Sequence, residues 1–133
     1  MAESFKFELV SPERLLVSED VSAVVIPATE GEMTVMARHA PVMTGINPGV
    51  VTVTGTSGRQ ERYVVFGGFA DILPDALTVL AESAVPVADI DRADLAQRIS
   101  DAREDVADAK DDAARAKAAA RLAQLTTLES ALA

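Results

Sequence analysis

The stretch VVTVTGTSGRQERYVVFGGFADILPDALTVL, residues 50–80, decides the fold class. Its β-branched and apolar residues come in short runs, and turn residues interrupt the runs at Thr56–Gly58 and at Pro74–Asp75. Such runs with regularly spaced turns are typical of antiparallel strands in sandwiches and barrels. Gly67–Gly68 falls between two of the runs, and we expect it to mark a bulge or a tight crossing.

The same pattern of short apolar runs separated by turn residues extends toward the N-terminus, so the predicted β domain covers residues 1–86. Its candidate strands are Phe5–Val10, Val21–Pro27, Met33–Met36, Val50–Thr56, Arg59–Phe66, Phe69–Leu73 and Leu77–Leu80. The N-terminal residues alternate charged and apolar side chains and lack the apolar run of a secretory signal. The longest uncharged apolar run, residues 63–70, is far shorter than the ~18 residues of a membrane span. We therefore expect any membrane association to depend on a partner.

A different pattern begins after Pro86. Residues 87–133 contain no glycine and no proline, and alanine fills 15 of the 47 positions, which is helix composition. Two apolar stripes follow at helical spacing, the first at Leu95, Ile99, Ala102, Val106 and Ala109, the second at Ala118, Leu122, Leu125, Leu128 and Leu132. Carboxylates between the stripes repel one another at i,i+4 spacing, as at Asp101 and Asp105. We predict an antiparallel two-helix hairpin with a turn near Ala109–Asp112, although a single long helix stays open.

Composition excludes several classes of function. The chain has 133 residues and a formal net charge of −9, so it offers no basic stripe for general nucleic-acid binding. It contains no cysteine, which excludes disulfides, thiolate metal sites and cysteine nucleophiles. Basic partners are favoured by such an acidic surface.

The stretch RHAPVMTGINPG, residues 38–49, is predicted to be a shaped loop because it concentrates proline and glycine. It also holds His39, the single histidine of the chain. An imidazole can act as an acid or a base near neutral pH, but no nucleophile motif accompanies it and one histidine does not make a metal site. We assign His39 a structural or contact role.

No other residue pattern indicates catalysis. The sequence contains no P-loop and no glycine triplet before a helix. Glu30 and Glu32 alternate along the chain without an evident partner, so solvated loop charge explains them better than paired acid–base work. We therefore predict no catalytic residue, no metal site and no cofactor.

A succession of short motifs carries a family resemblance. It consists of VIPATEGE at residues 25–32, HAPVMT at 39–44, INPG at 46–49 and VFGGF at 65–69, followed by the acidic, alanine-rich tail. In this order the motifs resemble the epsilon subunit of F-type ATP synthase, called delta in mitochondria, over essentially the whole chain. The small or proline residues that this family usually has after the glycine appear here as Thr34, Ala37 and Arg38.

The resemblance implies a non-catalytic subunit of the rotating central stalk, which couples proton-driven rotation of the c-ring to ATP synthesis. It implies an N-terminal antiparallel β-sandwich that binds the gamma subunit and rests on the c-ring, and a C-terminal hairpin, residues 87–133, that regulates ATP hydrolysis and contacts the alpha and beta subunits. The positions that match the family's contact loops are Glu30, Gly31, Glu32, Met33, His39, Ala40 and Pro41. The implied location is the cytoplasmic face of a bacterial inner membrane, peripheral and held by the partners.

Some members of the family bind ATP through an Ile-Asp-x-x-Arg-Ala motif in the hairpin. The segment ADIDRA, residues 88–93, keeps Asp89 and Arg92 of this motif but has alanine at its leading apolar position. Arg98 and Arg121 correspond only approximately to the further arginines of such sites. We favour Asp89 as a helix N-cap and Arg92 as a surface side chain over ATP ligands. Two alternatives remain, a regulatory ATP-sensing module and a stand-alone enzyme that uses His39.

Overall fold

The structure is a computed structural model that describes residues 3–132. Its elements are strands β1 (Phe5–Val10), β2 (Leu15–Ala28), β3 (Gly31–Met36), β4 (Val42–Gly55), β5 (Gln60–Leu73), β6 (Ala76–Ala81) and β7 (Ala84–Pro86), a 3-10 turn (Val87–Asp89), and helices α1 (Arg92–Asp108) and α2 (Asp112–Ala131). The chain divides between Ala88 and Asp89 into two compact parts, here called the β unit and the helical unit. The predicted class, a β-sandwich followed by two helices, is confirmed.

The strands of the β unit form a sheet that closes on itself. The circuit runs β1-β6-β5-β4-β2 and returns to β1, while β3 adds to β2 and β7 adds to β5. Every pair is antiparallel except β1 with β6, which is parallel. The prediction of a wholly antiparallel domain was wrong in this respect, because a closed ring with an odd number of strands must contain a parallel pair.

Alternation along the strands builds the core. On β1 the side chains of Phe5, Phe7 and Leu9 are buried, whereas Lys6 and Glu8 point away from the core. Strand β6 repeats the pattern and buries every second residue. Each large apolar side chain removed from water in this way contributes about 2 kcal/mol to folding. The predicted period of two residues therefore selects the face that each strand turns inward.

Strand β4 is much longer than predicted, and the prediction of a loop over residues 38–49 was wrong beyond Pro41. The strand begins at Val42 and includes Pro48, which has no N–H group to donate to a ladder. The ladder between β2 and β4 is interrupted between the pair Ala28–Ile46 and the pair Val25–Thr52, and Pro48 lies in this gap. A proline is tolerated in the strand because no ladder bond to β2 is required there.

Gly67 and Gly68 lie within β5 and do not separate two strands, so the predicted strands Arg59–Phe66 and Phe69–Leu73 are one continuous element. Both glycines have positive φ angles, 112° and 138°, and they bend the strand. The part of β5 after the bend pairs with β6, and the part before it pairs with β7. The expected tight crossing is found at Gly68, where a Cβ atom would lie 2.1 Å from the carbonyl oxygen of Leu80 on the paired strand.

The helical unit consists of two helices, and the turn lies between Asp108 and Asp112, as predicted. The predicted apolar stripes supply its buried side chains, which are Leu95, Ile99, Ala102, Leu125, Leu128 and Leu132. Asp111 caps α2, with its side chain 2.7 Å from the N–H nitrogen of Ala114. Within residues 3–132, neither helix has the length and apolar character needed to cross a membrane.

Candidate functional site

The first candidate surface surrounds the turn between β2 and β3. Ala28 pairs with Gly31, which leaves Thr29 and Glu30 as a two-residue turn. The backbone of Gly31 has φ 128°, a conformation that side-chain-bearing residues rarely adopt. Glu30 and Glu32 are exposed, so their charges reach solvent on either side of this glycine. Glu32 belongs to strand β3, so its predicted place in a loop was wrong.

An open cavity of about 470 Å³ lies beside this turn. It is lined by residues that we call the Met43 surface: Ala28, Glu30, Gly31, Glu32, Met33, Val42, Met43 and Thr44. The N–H of Thr29 donates to the carbonyl of Gly45 at 3.0 Å and holds the turn against the first residues of β4. Met43 is 73% exposed, more than any other large apolar side chain among the described residues, and its neighbour Val42 is also exposed. Carboxylates beside an exposed methionine suit contact with another protein.

The predicted contact residues His39, Ala40 and Pro41 lie in the connection between β3 and β4 and do not line this cavity. Nδ1 of His39 lies 2.8 Å from the carbonyl oxygen of Ala40, its own neighbour in the chain. The connection is fixed at Arg38, which has a φ of 66° and whose N–H donates to the carbonyl of Pro74 at 2.7 Å. The structure thus brings Glu30–Met33 together with Val42–Thr44 and leaves His39–Pro41 beside them along the chain.

A second apolar surface was missed by the sequence analysis. Phe69 on β5 pairs with Leu80 on β6, and their side chains are 62% and 54% exposed. They line a cavity of about 320 Å³ together with Val10, Ser11, Pro12, Gly68, Ala81 and Glu82, a set that we call the Phe69 surface. The alternation of residues along β5 could have indicated this exposure. Phe69 lies on the same face of the strand as the exposed Asp71, while Ala70 and Ile72 on the other face are buried.

The two candidate ATP ligands of the helical unit have different environments. Asp89 ends the 3-10 turn and is not the N-cap of α1, so that prediction was wrong. The cap is Asp91, whose Oδ1 accepts from the N–H groups of Ala93 and Asp94 at 2.9 and 3.1 Å. Arg92 begins α1, and its Nη2 donates to the carbonyl of Leu132 at 2.6 Å. Its guanidinium is therefore already engaged within the hairpin.

Arg98, a further candidate ATP ligand, is engaged by a neighbour on its own helix. Arg98 forms an ion pair with Asp94 one turn away on the same helix, at 3.0 Å. Within residues 3–132, no three His, Cys, Asp or Glu residues are arranged to hold a metal ion.

Tyr63 is a buried tyrosine of β5 whose phenol lies beside a carboxylate. Burial, and then a hydrogen bond to Glu61 at 2.7 Å with the charges of Glu61 and Glu19, raises the pKa of Tyr63 to about 12. This shift stabilises a neutral phenol and does not create a reactive group at physiological pH. The shift is structural, and it adds no candidate catalytic residue.

Two family models match the chain over almost its whole length. The model described as "ATP synthase, Delta/Epsilon chain, beta-sandwich domain" matches residues 4–87. The model of the C-terminal domain of the ATP synthase epsilon chain matches residues 91–132. The match of each model falls within one of the two structural units.

Curated relatives and solved structures agree with these matches. The chain is 74% identical to the "ATP synthase epsilon chain" of Mesorhizobium japonicum over 132 residues, which cover 99% of this chain and 98% of the relative. It is 64% identical to the protein of the same name from Chelativorans sp., again covering 99% of this chain and 98% of the relative.

Among solved structures, a chain of the Euglena gracilis mitochondrial ATP synthase, in a complex of OSCP, F1 and c-ring, has a TM-score of 0.77 at 30% identity. That alignment covers 98% of this chain and 82% of the Euglena chain. A chain of the Tetrahymena thermophila central stalk and c-ring shares the fold, with a TM-score of 0.66 at 13% identity over 99% of this chain and 98% of that one. On these matches to both structural units, the chain belongs to the family of ATP synthase epsilon chains and is an accessory subunit of that complex, not a catalytic one.

Proposed function

We propose that the β unit docks on the gamma subunit and on the c-ring, and that the chain thereby transmits rotation within the central stalk. The observation that carries this proposal is the Met43 surface, where a methionine that is 73% exposed lies beside Glu30 and Glu32. Val42 is also exposed beside Met43, and an exposed apolar patch rimmed by polar residues is typical of a surface that binds another protein. Glu30–Met33 and His39–Pro41 are the proposed contact residues on this side.

Torque transmission requires a coupling element that does not deform. The closed circuit of strands leaves few free edges in the β unit, and a preorganised surface loses little conformational entropy on binding. The Arg38 to Pro74 hydrogen bond fixes the connection that holds His39–Pro41. These features support a docking role for a surface whose shape is set before the partner arrives.

The helical unit is proposed to regulate ATP hydrolysis through contacts with the alpha and beta subunits. Its exposed faces carry many charges, and only a narrow set of side chains is buried. The alternative function, ATP sensing through Asp89 and Arg92, is disfavoured because Arg92 already donates to Leu132. We place the subunit at the cytoplasmic face of a bacterial inner membrane, peripheral and held by its partners, since its curated relatives come from bacteria.

Copurification with the membrane-bound ATPase tests the docking proposal. We expect Met43→Glu to reduce the amount of the protein retained on washed membranes at least tenfold, because a charge would be buried against the partner. Met36→Glu is the matched control, since Met36 is 57% exposed and does not line the Met43 surface. Equal retention of the Met43→Glu and Met36→Glu variants would refute the assignment of this surface to a partner.

A further inference from the structure

One hydrogen bond joins the two chain ends of the helical unit. Arg92 is the first residue of α1, and Leu132 is the C-cap of α2. Nη2 of Arg92 lies 2.6 Å from the carbonyl oxygen of Leu132, across 40 residues of sequence. At the opposite end the two helices are joined covalently by the turn at residues 109–111. This bond therefore acts where the hairpin has no covalent closure.

The position of Arg92 is unfavourable for α1 considered alone. A cation in the first turn of a helix opposes the positive end of the helix dipole, and it is favourable near a C-terminus. The last turn of α2 contains no basic residue of its own. Arg92 supplies the missing cation from the neighbouring helix, and its guanidinium binds a carbonyl that has no partner within α2.

The residue that accepts this bond is well anchored. The side chain of Leu132 is 7% exposed, and its N–H donates to the carbonyls of Leu128 and Glu129 at 3.1 and 3.2 Å. If the bond from Arg92 were lost, the carbonyl of Leu132 would have no charged donor, although it lies next to a buried side chain. The last turn of α2 would then open more easily than the rest of the helix.

We infer that Arg92 is a positioning residue. Its hydrogen bond to Leu132, here called the clasp, holds the last turn of α2 to the start of α1 and so controls opening of the hairpin at this end. While the clasp is closed, the open end of the hairpin is held in register by a charge-assisted hydrogen bond. When it is released, separation of the helices begins at the C-terminal turn. The clasp lies wholly within the helical unit, and it does not require any of the proposed partners.

Amide hydrogen exchange of the full-length protein, followed by NMR, tests the clasp. We expect Arg92→Ala to speed exchange at residues 128–132 about tenfold, the effect of losing one charge-assisted hydrogen bond. Amides of the β unit and of residues 112–118 should change by less than about twofold, since they lie away from the bond. Arg103→Ala is the matched control, because Arg103 is an exposed arginine of α1 that forms no hydrogen bond or ion pair with the described residues. Arg92→Lys should keep part of the protection that Arg92→Ala loses, since lysine keeps the positive charge but lacks the planar guanidinium group.

Two measurements on the same samples separate a clasp from general destabilisation. In the unaltered protein, the Nη protons of Arg92 should exchange slowly at low temperature, whereas those of Arg103 should exchange rapidly. The carbonyl carbon resonance of Leu132 should move in Arg92→Ala and stay in place in Arg103→Ala. If the Nη protons of Arg92 exchanged as fast as those of Arg103, or if both variants gave the same exchange at residues 128–132, the clasp would be disproved.

Discussion

Gly68 and Leu80 approach each other so closely that no side chain fits between them. A Cβ atom built on Gly68 would lie 2.1 Å from the carbonyl oxygen of Leu80 and 2.9 Å from the Cα of Ala81. These atoms belong to the backbone of the paired strand β6, which does not move aside as a flexible side chain does. The bend of β5 at Gly68 and the pairing of β5 with β6 therefore require a residue without a Cβ atom at this position.

Gly68→Ala is expected to lower the free energy of unfolding by about 4 kcal/mol or more, because it combines a backbone clash with a forbidden φ. Gly31→Ala separates the two effects, since Gly31 has a similar positive φ of 128° but open space around it. We expect that control to cost only about 1–3 kcal/mol. Urea unfolding of both variants decides the matter. Equal urea midpoints for Gly68→Ala and Gly31→Ala would contradict this prediction and would mean that β6 shifts to accommodate the extra Cβ atom.

The pKa of Tyr63 predicts a loss of stability in alkaline solution. The folded-state value of about 12 lies above the ordinary value of 10.0, so the folded protein holds its phenolic proton more tightly than the unfolded one. This contribution is complete below about pH 10 and disappears as the pH rises through about 12, to a total of about 3 kcal/mol. Urea unfolding at several pH values should show a shallower alkaline decline for Tyr63→Phe. Parallel curves for the two proteins would contradict the assignment.

Much of the fold follows from the sequence, because alternation and turn chemistry are local properties. The turn at Thr56–Gly58, the apolar spacing of the two helices and the turn before Asp112 are local features of the sequence, and they were predicted correctly. The parallel pair β1–β6 depends instead on closure of the whole sheet, which no local pattern expresses. The inclusion of Pro48 in β4 likewise depends on an interruption in a distant ladder.

Only part of the candidate site could be predicted from the sequence, because the exposure of its other residues is set by the tertiary fold. Turn residues such as Glu30 and Gly31 are recognisable in the sequence, but the exposure of Met43 and Phe69 is decided by which face of a long strand turns outward. The choice between Asp89 and Asp91 as the helix cap depends on where α1 begins, and both are acidic residues at suitable positions. The bond from Arg92 to Leu132 spans 40 residues, and no sequence motif indicates it.

The β unit is expected to fold without the helical unit. Its core cluster is drawn entirely from residues before the helices, including Phe7, Ile72 and Leu77. A truncated protein ending at Ala88 should therefore give a cooperative thermal transition with a β-type circular dichroism spectrum, and it should still bind gamma. If it showed neither property, the two units would share one core and the assignment of docking to the β unit would fail.

ATP is expected to bind the isolated protein weakly or not at all. The guanidinium of Arg92 would have to leave the carbonyl of Leu132 to reach a phosphate, and Arg98 is paired with Asp94. Isothermal titration calorimetry with the full-length protein measures this directly. A micromolar Kd that vanishes in Arg92→Ala, but persists in Arg103→Ala, would contradict this expectation and favour the ATP-sensing function.

His39 is expected to contribute contact area and not chemistry. Its ring nitrogen lies 2.8 Å from the carbonyl of the adjacent Ala40, and truncating one contact residue usually has little effect unless it is buried at the centre of an interface. His39→Ala should therefore leave ATP synthesis by reconstituted vesicles nearly intact. Pro41→Gly should weaken association with gamma and the c-ring more strongly, because glycine frees the backbone that positions the whole connection. Both variants are assayed for copurification of the subunits and for ATP synthesis. If His39→Ala stopped synthesis in a fully assembled complex, the imidazole would have a chemical role.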